Sequence, residues 1–299
     1  MVLTTESRNE ATKNIDQLPI YEVLKLINQQ DQQVPLAIGS EKNLQTMTKI
    51  VELMSQTYQN HGRIFYIGAG TSGRLGVLDA VELVPTYGTD PSEFVALMAG
   101  GEKAMYLAVE GAEDSEELAV NDLQEQGLQQ KDMVIGLAAS GRTPYVIGGL
   151  DYARKLGAKT AAISCNENAK ISPHAELALE VPVGPEVITG STRMKAGTAQ
   201  KLILNMMSTA AMIQCGKVYG NLMVDLRPTN EKLVERAKRI IQEATGASFE
   251  EAAVYYEKAQ HSAKHAIVML TTKASLVEVK QALGENQGRV ALAIAALSK

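Results

Sequence analysis

Two short stretches rich in glycine and hydroxyl residues carry the side chains whose types and spacing could do chemistry. Residues 67–76 read Ile-Gly-Ala-Gly-Thr-Ser-Gly-Arg-Leu-Gly and hold Gly68-x-Gly70-x-x-Gly73 directly after the apolar run 63–67. That is the spacing of a dinucleotide-binding fingerprint, in which a strand feeds a tight turn and a helix start. A nicotinamide site also needs an acid at the carboxyl end of the second strand to hold the ribose. Glu93 falls at the beginning of the next strand candidate, 94–98, and the far end is Met98-Ala-Gly-Gly101. The numerical match therefore does not make an NAD site, and no cofactor is expected. Residues 138–144, Ala-Ala-Ser-Gly-Arg-Thr-Pro, form a second loop of the same character after the run 133–138, with Pro144 opening a helix. Thr71 and Ser72 on one loop and Ser140 and Thr143 on the other offer hydroxyls beside helix-start N–H groups. Each hydroxyl alone could simply cap its helix. Two such loops at carboxyl ends of parallel strands instead suit one polar, phosphate-bearing ligand.

Carboxylates complete the chemical inventory. Glu82 stands in Ala80-Val-Glu-Leu-Val84, an apolar context that would raise a carboxyl pKa if the side chain were buried. Glu113 sits among Glu110, Asp114, Glu116 and Glu117, which read without further information as a solvated helix face. Lys195, in Ser191-Thr-Arg-Met-Lys-Ala-Gly-Thr198, is a cation available to an anionic ligand, and Ser191 or Thr192 could cap the helix that follows. His261 and His265 are four apart but lack the intervening Glu of a zinc-protease helix, so a surface face is expected and no metal. Cys165 and Cys215, at unrelated spacing, are expected to be buried free thiols.

The elements that must position these groups alternate in type. Strands are predicted at 63–67, 94–98, 133–138, 160–164 and 178–183, with helical stretches at 74–83, 104–110, 116–124 and 144–156 crossing between them. Helices are also predicted at 21–28 and 43–58, and a long one at 192–214. Beyond about residue 229 only helical segments follow, at 231–245, 248–260, 273–283 and 289–297. This pattern predicts an α/β fold, a five-stranded parallel sheet with helices on both faces, plus a small C-terminal helical domain. The expected divisions are an N-terminal helical segment over 1–50, a sheet domain over 51–225 and a helical domain over 226–299.

Composition agrees with such a fold. Hydrophobic residues make up 45% of 299 and charged residues 21%, with no Trp and three Phe, so the core must be aliphatic. The balance of 29 Lys+Arg against 34 Asp+Glu, net charge −5, and the lack of a basic run argue against a nucleic-acid partner. The polar N-terminal stretch and the lack of a spanning apolar window point away from a membrane and toward a cytoplasmic protein.

The two loops resemble the sugar-phosphate site of the sugar isomerase (SIS) domain. The resemblance extends along Thr5-Glu-Ser-Arg-Asn9, 68–76, Pro85-Thr-Tyr-Gly88, 109–115, 139–145, 189–198 and Gly220-Asn-Leu-Met-Val-Asp225, which together are similar to the N-acetylmuramic acid 6-phosphate etherase family. Glu10 departs from that family's pattern, which has Pro there. The resemblance implies removal of D-lactate from the C3 ether of the muramic sugar. It implies phosphate contacts at Ser140, Gly141 and Thr143 and sugar contacts at Gly70, Thr71 and Ser72. It further implies Glu82 as the acid that protonates departing lactate and Glu113 as the base at C2, in a homodimer acting on a small sugar phosphate. A non-catalytic sugar-phosphate sensor and an aldose-ketose isomerase are the competing readings. The first would need neither carboxylate and the second only one, so the pair discriminates among them. The role of Glu6 to Asn9 stays open at this level.

Overall fold

A computed structural model describes residues 3–107, 109–228 and 230–298. The chain divides into two compact units, one of residues 1–80 and 92–208, the other of residues 81–91 and 209–299.

The first unit is built on a sheet of five parallel strands, β1 (Ile64–Gly68), β2 (Phe94–Met98), β3 (Met133–Ala138), β4 (Lys159–Ser164) and β5 (Leu177–Glu180), in the order β2-β1-β3-β4-β5. All five predicted strands are present, within a few residues of the expected bounds. Every residue of β1 and β3 is buried although successive side chains point to opposite faces. A parallel strand of that kind must be covered on both sides. The helices here are α1 (Ile20–Asp31), α2 (Gln33–Ile38), α3 (Glu41–Gln59), the start of α4 (Gly70–Tyr87), α5 (Glu116–Glu125), α6 (Pro144–Leu156) and most of α7 (Lys195–Gln214). Of residues 104–110, expected to be helical, the described ones enter only a 3-10 turn over Glu102–Met105, and residue 108 lies outside the described residues. Gly100 and Gly101 before it both have positive φ, and the chain folds back so that Val109 packs onto Gly100.

At the amino ends of the central strands a buried ion pair fixes the frame. Asp132, fully buried, accepts from the Arg63 backbone N–H at 2.8 Å and from the Arg63 guanidinium at 2.7 Å, so the entries to β1 and β3 are tied together. In an order such as 2-1-3-4-5 the chain moves outward from β1 to β2 and then returns to the opposite side of β1 for β3. The carboxyl ends of β1 and β3 therefore flank the point where the winding reverses, the crevice in which open α/β sheets bind ligands.

The second unit holds the short antiparallel pair β6 (Val218–Tyr219) and β7 (Leu222–Met223) and helices α8 (Glu231–Thr245), α9 (Phe249–Lys258), α10 (Ala263–Thr272), α11 (Leu276–Glu285) and α12 (Val290–Leu297). Ile241, Tyr256, Ile267, Val279 and Val290 form its core. Four helices match the predicted segments; α10 does not appear among them, and the hairpin was not foreseen either. Both cysteines are buried and neither forms a disulfide, and burial pushes the Cys165 thiol up to about 12. Among the described residues no helix is long and apolar enough to cross a membrane.

Candidate functional site

The first loop owes its shape to close backbone approach. A Cβ on Gly73 would lie 2.8 Å from the Gly68 carbonyl oxygen and from Met98 Cγ, so only glycine lets the strand and the helix start meet. Gly70 adopts φ +54°, where L side chains are strained, and turns the chain into α4. The spacing shared with nucleotide fingerprints thus follows from a strand-turn-helix junction and says nothing of the ligand's identity. Thr71 and Ser72 then sit in the first turn of α4, where amide groups and the helix dipole favour an anion or a polar oxygen.

The second loop is held from behind. Asn166, buried, donates from Nδ2 to the carbonyl oxygens of Ala139 at 3.1 Å and Ser140 at 3.3 Å. Gly141, at φ +72°, presses against Ala169, where a Cβ would lie 2.5 Å from the Ala169 Cβ. Thr143 occupies the N-cap position of α6, yet its side chain makes no capping bond. The capping explanation therefore fails for this residue, and its hydroxyl is left for something else.

Between the loops lies a cleft of about 490 Å³, lined in part by Gly70, Thr71, Ser72, Ser140, Thr143 and Glu113. The structure thus brings together six of the nine expected site residues. Gly141 supports the loop from outside this lining. Lys195 does not reach the cleft either: its side chain is 2% exposed, and burial lowers its pKa while Glu186 and Asp31 raise it. Glu186, fully buried, accepts from the backbone N–H groups of Lys195 at 2.8 Å and Ala196 at 2.9 Å, and so caps α7. Lys195 is thereby the internal counter-charge of a helix cap, and its sequence neighbour Thr192 lines the cleft in its place.

Glu113 stands on a 3-10 turn, Ala112–Asp114, entered through Gly111 at φ +75°. Ser115 then caps α5, accepting from the Leu118 N–H at 3.1 Å, so the acidic run is split. Glu116 and Glu117 fall in the first turn of α5, whereas Glu113 and Asp114 line the cleft. Glu82 is different. Its apolar sequence neighbours suggested burial, but the side chain is exposed. On a helix those neighbours are spread around the axis; Leu78, which shares the face of Glu82 one turn earlier, is 50% exposed, and Val81 beside it is 61% exposed. Twelve residues of continuous helix separate Glu82 from Gly70, about 18 Å at 1.5 Å per residue.

Three groups escaped sequence reasoning. Arg142 lines the cleft as a permanent cation on the second loop. Glu6 lines it too, brought there by its neighbour Thr5, which is buried, donates from N–H to Asn166 Oδ1 at 3.3 Å and accepts from Asn166 Nδ2 at 3.0 Å. Gln200, buried on α7, accepts from the Ser72 hydroxyl at 2.8 Å. Pairing across more than a hundred residues leaves no local signal that could have revealed the Thr5 and Gln200 contacts.

Comparisons with known proteins place this geometry. Residues 45–154 match the glucokinase regulatory protein N-terminal SIS domain, 108–210 the SIS domain, and 220–298 the C-terminal lid domain of glucokinase regulatory protein. A Bacillus cereus (strain 03BB102) protein named N-acetylmuramic acid 6-phosphate etherase is 59% identical over 98% of this chain and 99% of its own. A relative of the same name from Bacillus anthracis (strain CDC 684 / NRRL 3495) is 58% identical over the same shares. Among solved structures, an Escherichia coli CFT073 protein, solved in complex with a ligand, shares the fold, with TM-score 0.53 and 18% identity over 70% of this chain and 96% of that one.

Proposed function

We propose that this chain, which belongs to the N-acetylmuramic acid 6-phosphate etherase family, cleaves the C3 lactyl ether of N-acetylmuramic acid 6-phosphate with water, giving N-acetylglucosamine 6-phosphate and D-lactate as a carbon-oxygen lyase. The observation that carries this reading is full-length identity to proteins of that name, joined to a cleft at the sheet's reversal point that holds two hydroxyl loops and Glu113.

The phosphate sits on Ser140, Thr143 and the N-terminus of α6, with Arg142 beside it, and Thr71 and Ser72 meet the sugar. Because the Ser72 proton is directed to Gln200, that hydroxyl meets the sugar as an acceptor. An unactivated ether does not hydrolyse readily. Opening of the ring frees an aldehyde at C1 that acidifies the C2 proton. Glu113 removes that proton, and the electron pair expels lactate from C3 to leave an enal. Water then adds at C3 as a proton returns to C2, and the ring recloses.

Glu82 protonates the departing alkoxide. Its exposure, and its distance along α4 from the first loop, fit a homodimer in which pairing of two chains brings the acid to the cleft and covers Leu78 and Val81. We place the enzyme in the cytoplasm, in recycling of cell-wall amino sugar.

The test is direct. Purified protein given N-acetylmuramic acid 6-phosphate should release D-lactate. In deuterated water Glu113→Gln should lose both C2 exchange and lactate release, by about 10² to 10⁴. A protein that binds the sugar phosphate and releases nothing would be a sensor of the kind the regulatory-protein match allows.

A further inference from the structure

A second cavity, of about 270 Å³, opens beside the cleft and shares Ala69, Gly70 and Glu113 with it. Its character is different. Met98, Ala104, Leu107 and Val109 give it apolar walls, and among the described residues its one cation is Arg74. The Arg74 guanidinium is anchored, with Nε donating to the Met105 carbonyl at 3.0 Å and Nη2 to the Ala104 carbonyl at 2.7 Å. An arginine has five N–H donors, so those two bonds leave the Nη1 amino group and one Nη2 proton uncommitted. Fixing the head group in advance removes the ordering cost a free side chain would meet on binding.

Glu113 therefore stands at the seam between a compartment of hydroxyls and helix starts and a compartment of apolar walls with one cation. A base that works at C2 must have the C3 substituent close by. We propose that this second cavity is the leaving-group subsite: it takes the lactyl arm, the carboxylate on Arg74 and the methyl against Leu107 and Val109, which makes Arg74 the specificity-determining residue for a carboxylate-bearing ether. This proposal rests on the etherase reading. It gives to Arg74 the part that sequence reasoning offered to Lys195, which is buried outside the lining of both cavities. Glu110, the other acid of this cavity, is exposed, so Arg74 supplies the positive charge an entering carboxylate needs.

The experiment compares two substrates on the same sugar phosphate, the natural lactyl ether and its carboxamide, by kcat/KM for ether cleavage. The intact enzyme should favour the carboxylate by about 10- to 100-fold, the range of a hydrogen-bonded charge contact. Arg74→Gln should collapse that ratio toward one. A merely structural role, clamping the 104–105 backbone, would lower both rates together and keep the ratio, and that result overturns the proposal. Leu107→Asp guards against misfolding, because Leu107 is 61% exposed and Arg74 stays in place. The added negative charge should depress the carboxylate substrate more than the carboxamide, and equal effects on both would again count against the subsite. A change in discrimination between N-acetyl and free-amine sugars, with the carboxylate ratio untouched, would assign the cavity to the acetamido arm and sink the idea. If the unaltered protein releases no lactate, the etherase reading itself is what fails.

Discussion

Glu82 and Glu113 can be separated by mixing two dead enzymes. Glu82 is exposed on α4, about 18 Å of helix away from the loop residue Gly70, whereas Glu113 lines the cleft directly. If the acid reaches the cleft by pairing of chains, each site of a two-fold dimer uses Glu113 from one chain and Glu82 from the other. The homodimers Glu82→Gln and Glu113→Gln should each release lactate at about 10⁻² to 10⁻⁴ of the normal rate. Dissociated together and allowed to re-pair at random, half the dimers become hybrids. One site of each hybrid then carries both lesions and the other carries none. Activity should climb to about a quarter of the unaltered enzyme's, far above either parent. The assay is D-lactate release before and after exchange, with subunit mixing followed by mass on differently tagged chains. Recovery that stays at the parental level after demonstrated mixing would refute shared sites. Glu82 would then act within its own chain or not act at all.

Two further outcomes follow from the same geometry. Replacing both Ser140 and Thr143 by Ala should raise KM by at least about tenfold with a smaller change in kcat, because charge-assisted donors hold the phosphate in the ground state as well as in the transition state; an unchanged KM would remove this loop from the site. Asp79, buried and accepting from Asn205, Ser208 and Tyr66, has its pKa raised by burial against the pull of those bonds. A raised acid contributes stability that is fully present below its unfolded pKa and fades as pH climbs through the folded value, so melting temperature should fall as pH rises above the ordinary carboxylate range, and Asp79→Asn should flatten that slope.

The sheet and both loops were legible because their signals are local: short apolar runs bounded by turn residues, and glycines where strand and helix must touch. What misled was sequence adjacency taken for spatial surroundings. The Val and Leu beside Glu82 point around α4, and Leu78 and Val81 are exposed with it. Lys195 stands in a polar, glycine-bearing segment that reads like a ligand loop, yet Glu186, nine residues upstream, takes the helix start and the lysine side chain is buried away from the cleft. In α10 the run Ala-Ile-Val-Met-Leu offers apolar residues all round, and seven of the ten positions of Ala263–Thr272 are buried, so no amphipathic stripe marked it as a helix. Glu6 was invisible as a site residue because the pairing that delivers it joins Thr5 to Asn166.

That pairing also sets an order of assembly. It closes a loop of 161 residues, an entropic cost that grows only slowly with length but is met before any contact returns it. Residue 5 has nothing to hold until the strand ending at Ser164 lies against β3, because its partner Asn166 follows directly. The phosphate loop is braced by the same asparagine. The pocket meant for the sugar phosphate therefore lacks its wall at Glu6 until the beginning of the polypeptide returns to meet its middle.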